Sequence, residues 1–346
     1  MKSEPARTLR LRRDAGALAA NWRTLDAMSG PAAAGAAVKA DAYGIGADFA
    51  VPVLRDAGCS AFFVAHWSEV ADVIAHVPAE QVSVLHGPLT GEDCAYARAC
   101  GVRPVINSLV QAQLWLESGG GLCDLMIDTG INRLGLAADE TADPLVARLE
   151  IYTIMSHLAC ADEDHPLNEK QLAAAQSLFA AIPARRRSLA NSAGIARGQD
   201  YAFDLTRPGI SLYGGAQVPA LAGSIRQVVF PEAAIIQRHT LRAGQSAGYN
   251  ALFTAPRDMP VATVPIGYAD GMLRCWTGKA ALKHSDARLP VLGRVSMDMV
   301  VVDLSAAPDL AEGDWLELPY TLPQASAASG LSQYELLTAL GNRFAR

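Results

Sequence analysis

Several short segments carry side chains that could do chemistry, each at the end of an apolar run. In AAVKADAYGIGA, residues 36–47, Lys39 follows Ala36, Ala37 and Val38 and precedes a turn marked by Asp41 and two glycines. An ammonium among apolar neighbours is costly, and desolvation lowers a lysine pKa. A neutral lysine amine is a nucleophile that can condense with an aldehyde. A lysine that snorkels at a strand end is the plain structural alternative. IDTGINRLGL puts Arg133 after a strand and a glycine turn, and SHLACADEDH puts His157 at another strand end. ANSAG offers Asn191 and Ser192 among small residues, a loop suited to phosphate. RPGISLYG puts Arg207 beside a Pro-Gly turn whose free amides can face an anion. Each also has a structural reading: surface ion pairs for the arginines, a hydrogen-bonded core histidine for His157. GIGADF has two of the three glycines of a dinucleotide loop, with Phe49 in the third place. His157, Cys160 and His165 match no established zinc spacing.

Such residues need strands to end under them. From about residue 16, Ala- and Leu-rich helical patches (GALAANWRTLDAM, ADFAVPVLRDAG, NEKQLAAAQSLFAAI) alternate with short apolar runs. The runs are GAAVKA, SAFFVAH, QVSVLHG, RPVINS, CDLMIDTG, IYTIMSHLA, RRRSLANSAG and FDLTRPGISLYG. Strands alternating with helices imply βαβ units and a parallel sheet, and about eight units fit a (β/α)8 TIM-type barrel over residues 10–224. A doubly wound open sheet is the alternative. Beyond residue 225 helical periodicity gives way to strand-like runs broken by Pro and Gly, which predicts a second, mostly β domain over 225–346.

The chain has 346 residues, 51% hydrophobic and 18% charged, with a formal net charge of −6. That is the balance of a globular protein with a sizeable core. No basic patch points to nucleic acid, and no apolar run is long enough to span a bilayer. No secretory signal is visible at the start, so the cytoplasm is the expected compartment. The six cysteines form no C-x-x-C pair and read as buried apolar residues rather than a disulfide framework.

Taken in order, AVKADAYGIGA, DTGINRLGL, SHLACAD, RPGISLYG, AGYNALFTA, PIGYADGMLR and GRVSMD resemble the alanine racemase family over nearly the whole chain. The resemblance implies pyridoxal 5'-phosphate carried covalently on Lys39. It places Tyr43, Ser192, Gly209 and Ile210 at the cofactor phosphate, two of them through backbone amides. Arg207 would face the pyridine nitrogen, with His157 beside it. An arginine does not give up its proton, so the ring would stay largely unprotonated and be a weaker electron sink, which disfavours transamination. The resemblance further implies two bases on opposite faces of the substrate: Lys39 acting on D-alanine and Tyr249 on L-alanine. A free tyrosine titrates near ~10, so such a base wants a cationic neighbour.

Arg133 and the amide of Met297 would hold the substrate carboxylate. Tyr249 and Met297 would come from the partner subunit of a homodimer, in a β domain that also takes in an N-terminal strand, residues 1–9. Asp162, Arg274 and Arg294 match entrance residues and Tyr268 a pocket wall. Asn342 falls where relatives often carry a tyrosine near the phosphate, which would leave room for serine. Relatives often carry a carbamylated lysine where this chain has Met126. That predicts a chloride, or Asn132 acting through a water, as the partner of a buried Arg133. The competing functions are a broader amino-acid (serine) racemase, a decarboxylase of the same architecture, and a non-catalytic carrier of the cofactor. The decarboxylase would want a carboxylate where Arg207 stands.

Overall fold

The computed structural model describes residues 5–345. The chain divides into two compact units, Ala15–Arg226 and, from its two ends, Met1–Asp14 with Gln227–Arg346. The expected N-terminal strand at 1–9 falls partly on residues 1–4, outside the described residues; strand β1 runs Leu9–Arg13 and belongs to the second unit.

The first unit alternates short strands with helices. Its strands are β2 (Ala33–Ala34), β3 (Ala36–Ala37), β4 (Phe62–Val64), β5 (Val82–Val84), β6 (Arg103–Ile106), β7 (Leu122–Met126), β8 (Glu150–Met155), β9 (Arg186–Ser188) and β10 (Leu205–Thr206). Strands β3 to β9 form one parallel sheet in chain order, and β10 pairs with β2. Backbone bonds flank β10 on both sides. Ala33 N, Gly35 N and Ala37 N donate to Asp204, Thr206 and Pro208, while Asp204 N and Arg207 N donate to Arg187 and Ala190. The strands are near-continuously apolar because both faces are covered. One face packs Ala61, Phe63, Val105, Met126, Met155 and Leu205 against each other. Helices cover the other. Ala15–Met28 buries Ala17, Leu18, Asn21, Trp22 and Leu25, a single stripe at helical spacing.

Asp124 on β7 and Arg103 on β6 are buried charges of this sheet. Opposite Asp124 two residues of β8 face one of β7, a bulge that costs a ladder bond. The Asp124 carboxylate replaces the lost acceptor: it takes Thr153 N at 2.9 Å, the Ser83 hydroxyl at 2.6 Å, and lies 3.5 Å from the buried Arg103 guanidinium.

The second unit is mostly β. Strands β11 (Val229–Ala234), β12 (Gln237–Leu241), β15 (Met259–Val264), β16 (Ala281–His284), β17 (Ala287–Leu292), β18 (Val300–Asp303) and β19 (Trp315–Glu317) join β1 in an antiparallel sheet ordered β1-β11-β19-β16-β17-β18-β15-β12. A small hairpin pairs β13 (Ser246–Ala247) with β14 (Phe253–Thr254). No helix among the described residues is long and apolar enough to cross a membrane.

Removing Asp124 should leave Arg103 as an uncompensated buried cation. Asp124→Ala is expected to lower unfolding free energy by about 3–5 kcal/mol. A urea midpoint that barely moves, with an unchanged slope, would show that the bulge does not depend on this carboxylate.

Candidate active site

Lys39 follows β3 after Val38. Ala40, Asp41, Ala42 and Tyr43 after it all have φ between +51° and +58°, one left-handed turn of four non-glycine residues. The turn is braced by Ala42 N bonding to Val38 O, and by Gly46 N and Ala47 N bonding to the backbone and carboxylate oxygens of Asp41. Its last residue, Tyr43, is buried, with its ring 4.8 Å from that of Tyr213. Tyr213 in turn donates its hydroxyl to Ala37 O on β3. The Tyr43 hydroxyl fills the space where a side chain on Gly209 would stand, so that position admits only glycine while Tyr43 keeps its place.

The Gly209 turn follows β10. Gly209 N and Ser211 N donate to the Ser192 hydroxyl, 2.9 and 3.3 Å away. Ser192 begins a helical turn capped by Asn191, whose side chain accepts from Gly194 N. Ile210 N bonds to nothing among the described residues, and the buried Ser211 hydroxyl is also unpartnered. Amides and hydroxyls converging on a glycine turn form an anion nest. Arg207, on the same connection, is buried; its guanidinium donates to the Ser188 hydroxyl and to Ser156 O.

Charge is concentrated here. The Lys39 amine is pushed below the usual lysine range, first by burial, then by Arg133, with Arg207 adding to the effect and Glu69 opposing it. His157 is pushed down to about 3 by burial and by Arg207, Arg133 and Lys39, so its ring is neutral at physiological pH. Arg207 is pushed down to about 10 by burial, with Asp124 partly restoring it, and it stays a cation. A site with one poised amine, two guanidiniums and a nest of N–H donors suits a ligand carrying a phosphate, a carbonyl and a ring acceptor. Those are the groups of pyridoxal 5'-phosphate, and the residues present fit it.

Two expectations need correcting or placing. Arg133 is exposed in this unit, not buried, and its side chain bonds to no described residue, although its amide donates to Asp128 along with those of Gly130, Ile131 and Asn132. Met126 lies in the apolar cluster and offers that arginine no polar partner. Asp162 is exposed, accepting from Gln217 at 3.3 Å.

The second unit gathers the remaining residues. Tyr249 stands in the loop of the β13–β14 hairpin and shares a pocket of about 370 Å³ with Arg294, Ser296 and Met299. Tyr268 N and Ala269 N donate to Ser296 O and Met297 O, at 3.0 and 3.1 Å. Gly267 makes this approach possible, since a Cβ there would collide with the Ser296 and Met297 carbonyls. The Met297 N–H bonds to nothing among the described residues. The Arg274 guanidinium lies 5.2 Å from the Tyr268 ring centre. Tyr249 and Met297 are 69% and 52% exposed, beside the exposed Leu252 and Met299. Asn342 lines a neighbouring groove with Arg7, Ile236, Pro265, Asp298, Met299 and Arg343, and Met299 lines the Tyr249 pocket too.

Sequence reasoning missed Glu69, whose carboxylate bonds the amide next to Lys39. Its signal was His66–Glu69, the spacing of a helix-start capping box.

Family models describing the alanine racemase N-terminal and C-terminal domains match residues 14–217 and 228–346. The chain is 40% identical to a catabolic alanine racemase of Agrobacterium fabrum, over 96% of this chain and 90% of that one. It is 38% identical to the biosynthetic alanine racemase of the same organism, over 98% and 93%. A crystal structure of alanine racemase from Bartonella henselae with covalently bound pyridoxal phosphate superposes with a TM-score of 0.89 at 35% identity, covering 99% of each chain. Read with the Lys39 turn, the Gly209 nest and the Gly267–Met297 junction, these matches establish that the chain belongs to the alanine racemase family.

Proposed function

We propose that this chain interconverts L-alanine and D-alanine, using pyridoxal 5'-phosphate held by Lys39. The observation that carries the reading is the Lys39 amine, kept easy to deprotonate by burial and two guanidiniums, in a unit whose Gly209 turn leaves the Ile210 N–H unspent. When bound, the cofactor supplies the electron withdrawal that loosens the proton on the substrate Cα. The chain's residues do the rest. Ser192, Gly209, Ile210 and Tyr43 hold the phosphate. Arg207 donates toward the ring nitrogen and, remaining a cation, does not protonate it. His157 stays neutral beside it and adds no second charge.

Lys39 takes or returns the proton on one face, Tyr249 on the other. Arg133 and the Met297 amide orient the carboxylate. Asp162, Arg274, Arg294 and Tyr268 shape the approach. Tyr249 and Met297 stand in an exposed apolar patch, which supports a homodimer in which each copy lends these residues to the other's Lys39. Where a second protomer covers the Arg133 loop, its guanidinium loses water. A chloride, or Asn132 through a water, then supplies what Met126 cannot. We also read the parallel strands as one closed (β/α)8 barrel, a reading supported by the backbone bonds on both flanks of β10.

The decisive assay follows D-alanine to L-alanine by chirality-sensitive detection, with serine in parallel. Conversion of neither enantiomer by the cofactor-loaded protein would reject the reading. Borohydride should fix the cofactor on Lys39, and Lys39→Ala should lose that adduct; covalent retention at another lysine with racemisation intact would overturn the assignment.

Tyr249→Phe should cut α-proton exchange from L-alanine at least 100-fold while D-alanine exchange persists. Equal loss from both enantiomers would mean that the tyrosine is not a face-specific base.

His157 gives a pH signature. Its folded pKa of about 3 lies below its unfolded value of 6.5, so between these values the unfolded chain binds the extra proton. Its contribution to stability is complete above pH 6.5 and is lost as the pH falls toward 3. Thermal melts between pH 7 and 4 should therefore fall less steeply for His157→Gln than for the native chain; parallel curves would contradict the assigned shift.

A further inference from the structure

We infer that Glu69 is a positioning residue for Lys39: its carboxylate ties the left-handed turn that carries the amine to the neighbouring strand connection. This rests on the reading of Lys39 given above. Glu69 lies just beyond β4. Its Oε2 accepts from Ala65 N and His66 N, 2.7 and 2.9 Å away, which closes a capping box at the start of the Trp67–Glu69 helical turn. Its Oε1 reaches the other way and accepts from Ala40 N, the amide immediately after Lys39. One carboxylate thus joins the connections after β3 and β4.

Capping alone does not call for glutamate. The chain solves the same problem with aspartate at its Gly91–Cys100 helix, where Asp93 Oδ2 accepts from Leu89 N and Thr90 N at 2.8 and 3.0 Å. The donor pattern is the same, one methylene shorter. What the longer side chain adds at position 69 is the bond to Ala40. That bond falls where support is most needed, because left-handed backbone is costly for residues with a Cβ, and Ala40 opens four of them in succession. The bonds within the turn secure its later part, from Ala42 to Ala47. Glu69 secures its start.

The carboxylate also sets the charge around the amine. Arg133 and Arg207 disfavour the protonated form of Lys39, and Glu69 favours it. The other titratable groups here are His157, neutral at physiological pH, and His86, pushed below the usual histidine range by burial and by His66, whose ring is edge-on at 4.3 Å. Glu69 is the anion acting on Lys39 among these groups.

The test compares the native, cofactor-loaded chain with E69D and E69Q. Aspartate keeps the acceptor for Ala65 and His66 but falls short of Ala40. E69D should therefore keep its thermal midpoint and the amide protection of 65–70, while hydrogen exchange in a peptide spanning 39–43 quickens at least ten-fold. Its visible circular dichroism from the Lys39-linked chromophore should change, and kcat should fall more than KM rises. E69Q, if E69D does not fold, should show the same faster exchange in 39–43. In the cofactor-stripped full chain, it should also lower the pH midpoint at which acetic anhydride labels Lys39. Native exchange across 39–43 in the folded variant would overturn the inference, whether or not the chain racemises alanine, because that readout does not depend on the reaction. Faster exchange with no racemisation in the native chain would instead uphold the tether and reject the function.

Discussion

Four consecutive L-residues in left-handed backbone do not hold that shape unaided, at about 1–2 kcal/mol each if the helical figure applies. Here the turn from Ala40 to Tyr43 is held from three directions. Glu69 takes the first amide, Asp41 folds back on Gly46 and Ala47, and the buried Tyr43 ring rests on Tyr213, which is itself bonded to β3. The turn reverses the chain immediately after Lys39 and brings Tyr43 against Gly209 on the connection after β10. Two ends of strands remote in sequence therefore meet through a hydroxyl lying against a bare glycine. Strain of this kind survives only where surrounding contacts over-determine it, and such places are commonly functional.

A second constraint is electrostatic. Arg133 and Arg207 act on Lys39, all three act on His157, and burial works against protonation of Lys39, His157 and Arg207. The structure meets this without a matching set of acids at the mouth. His157 gives up its charge, Lys39 gives it up readily, and Arg207 keeps its own with help from the Asp124 carboxylate within the sheet. Asp124 thus serves both the bulge geometry of β7 and β8 and the charge state of Arg207.

Most strands of the first unit were readable as short apolar runs, the polar β9 (RRS) excepted. All eight runs overlap an observed strand, the helix Ala47–Ala57 falls inside its quoted patch, and Leu167–Ala181 begins one residue before its own. The Leu322–Ser329 helix was not foreseen, since its Ala- and Ser-rich octet has little apolar periodicity. Strand β16, ALKH, was missed because its polar half hides the alternation. Nothing in Ala-Asp-Ala-Tyr announces a left-handed turn, which glycine or asparagine would have marked. At the site, the motif residues after β3, β8, β9 and β10 were found because strand ends carry them. Glu69 escaped because it acts through a backbone amide rather than through a reactive group. Arg133 was expected to be buried because the resemblance sets it to hold the substrate carboxylate; in this unit it is exposed.

The second unit is assembled from both ends of the chain. Strand β1 lies between β11 and Ala345 near the end of the chain, with Leu11 N bonded to Ala345 O and Ala345 N to Leu9 O. During synthesis the first strand must therefore wait, unpaired, while more than two hundred residues of the other unit emerge. That intervening unit closes mostly between neighbours in sequence and can fold as it leaves the ribosome, whereas the second depends on contacts at nearly the full chain length. Translation order alone thus delays the β1–Ala345 pairing until Ala345 has emerged. An ordered first unit can therefore precede the closing of the second.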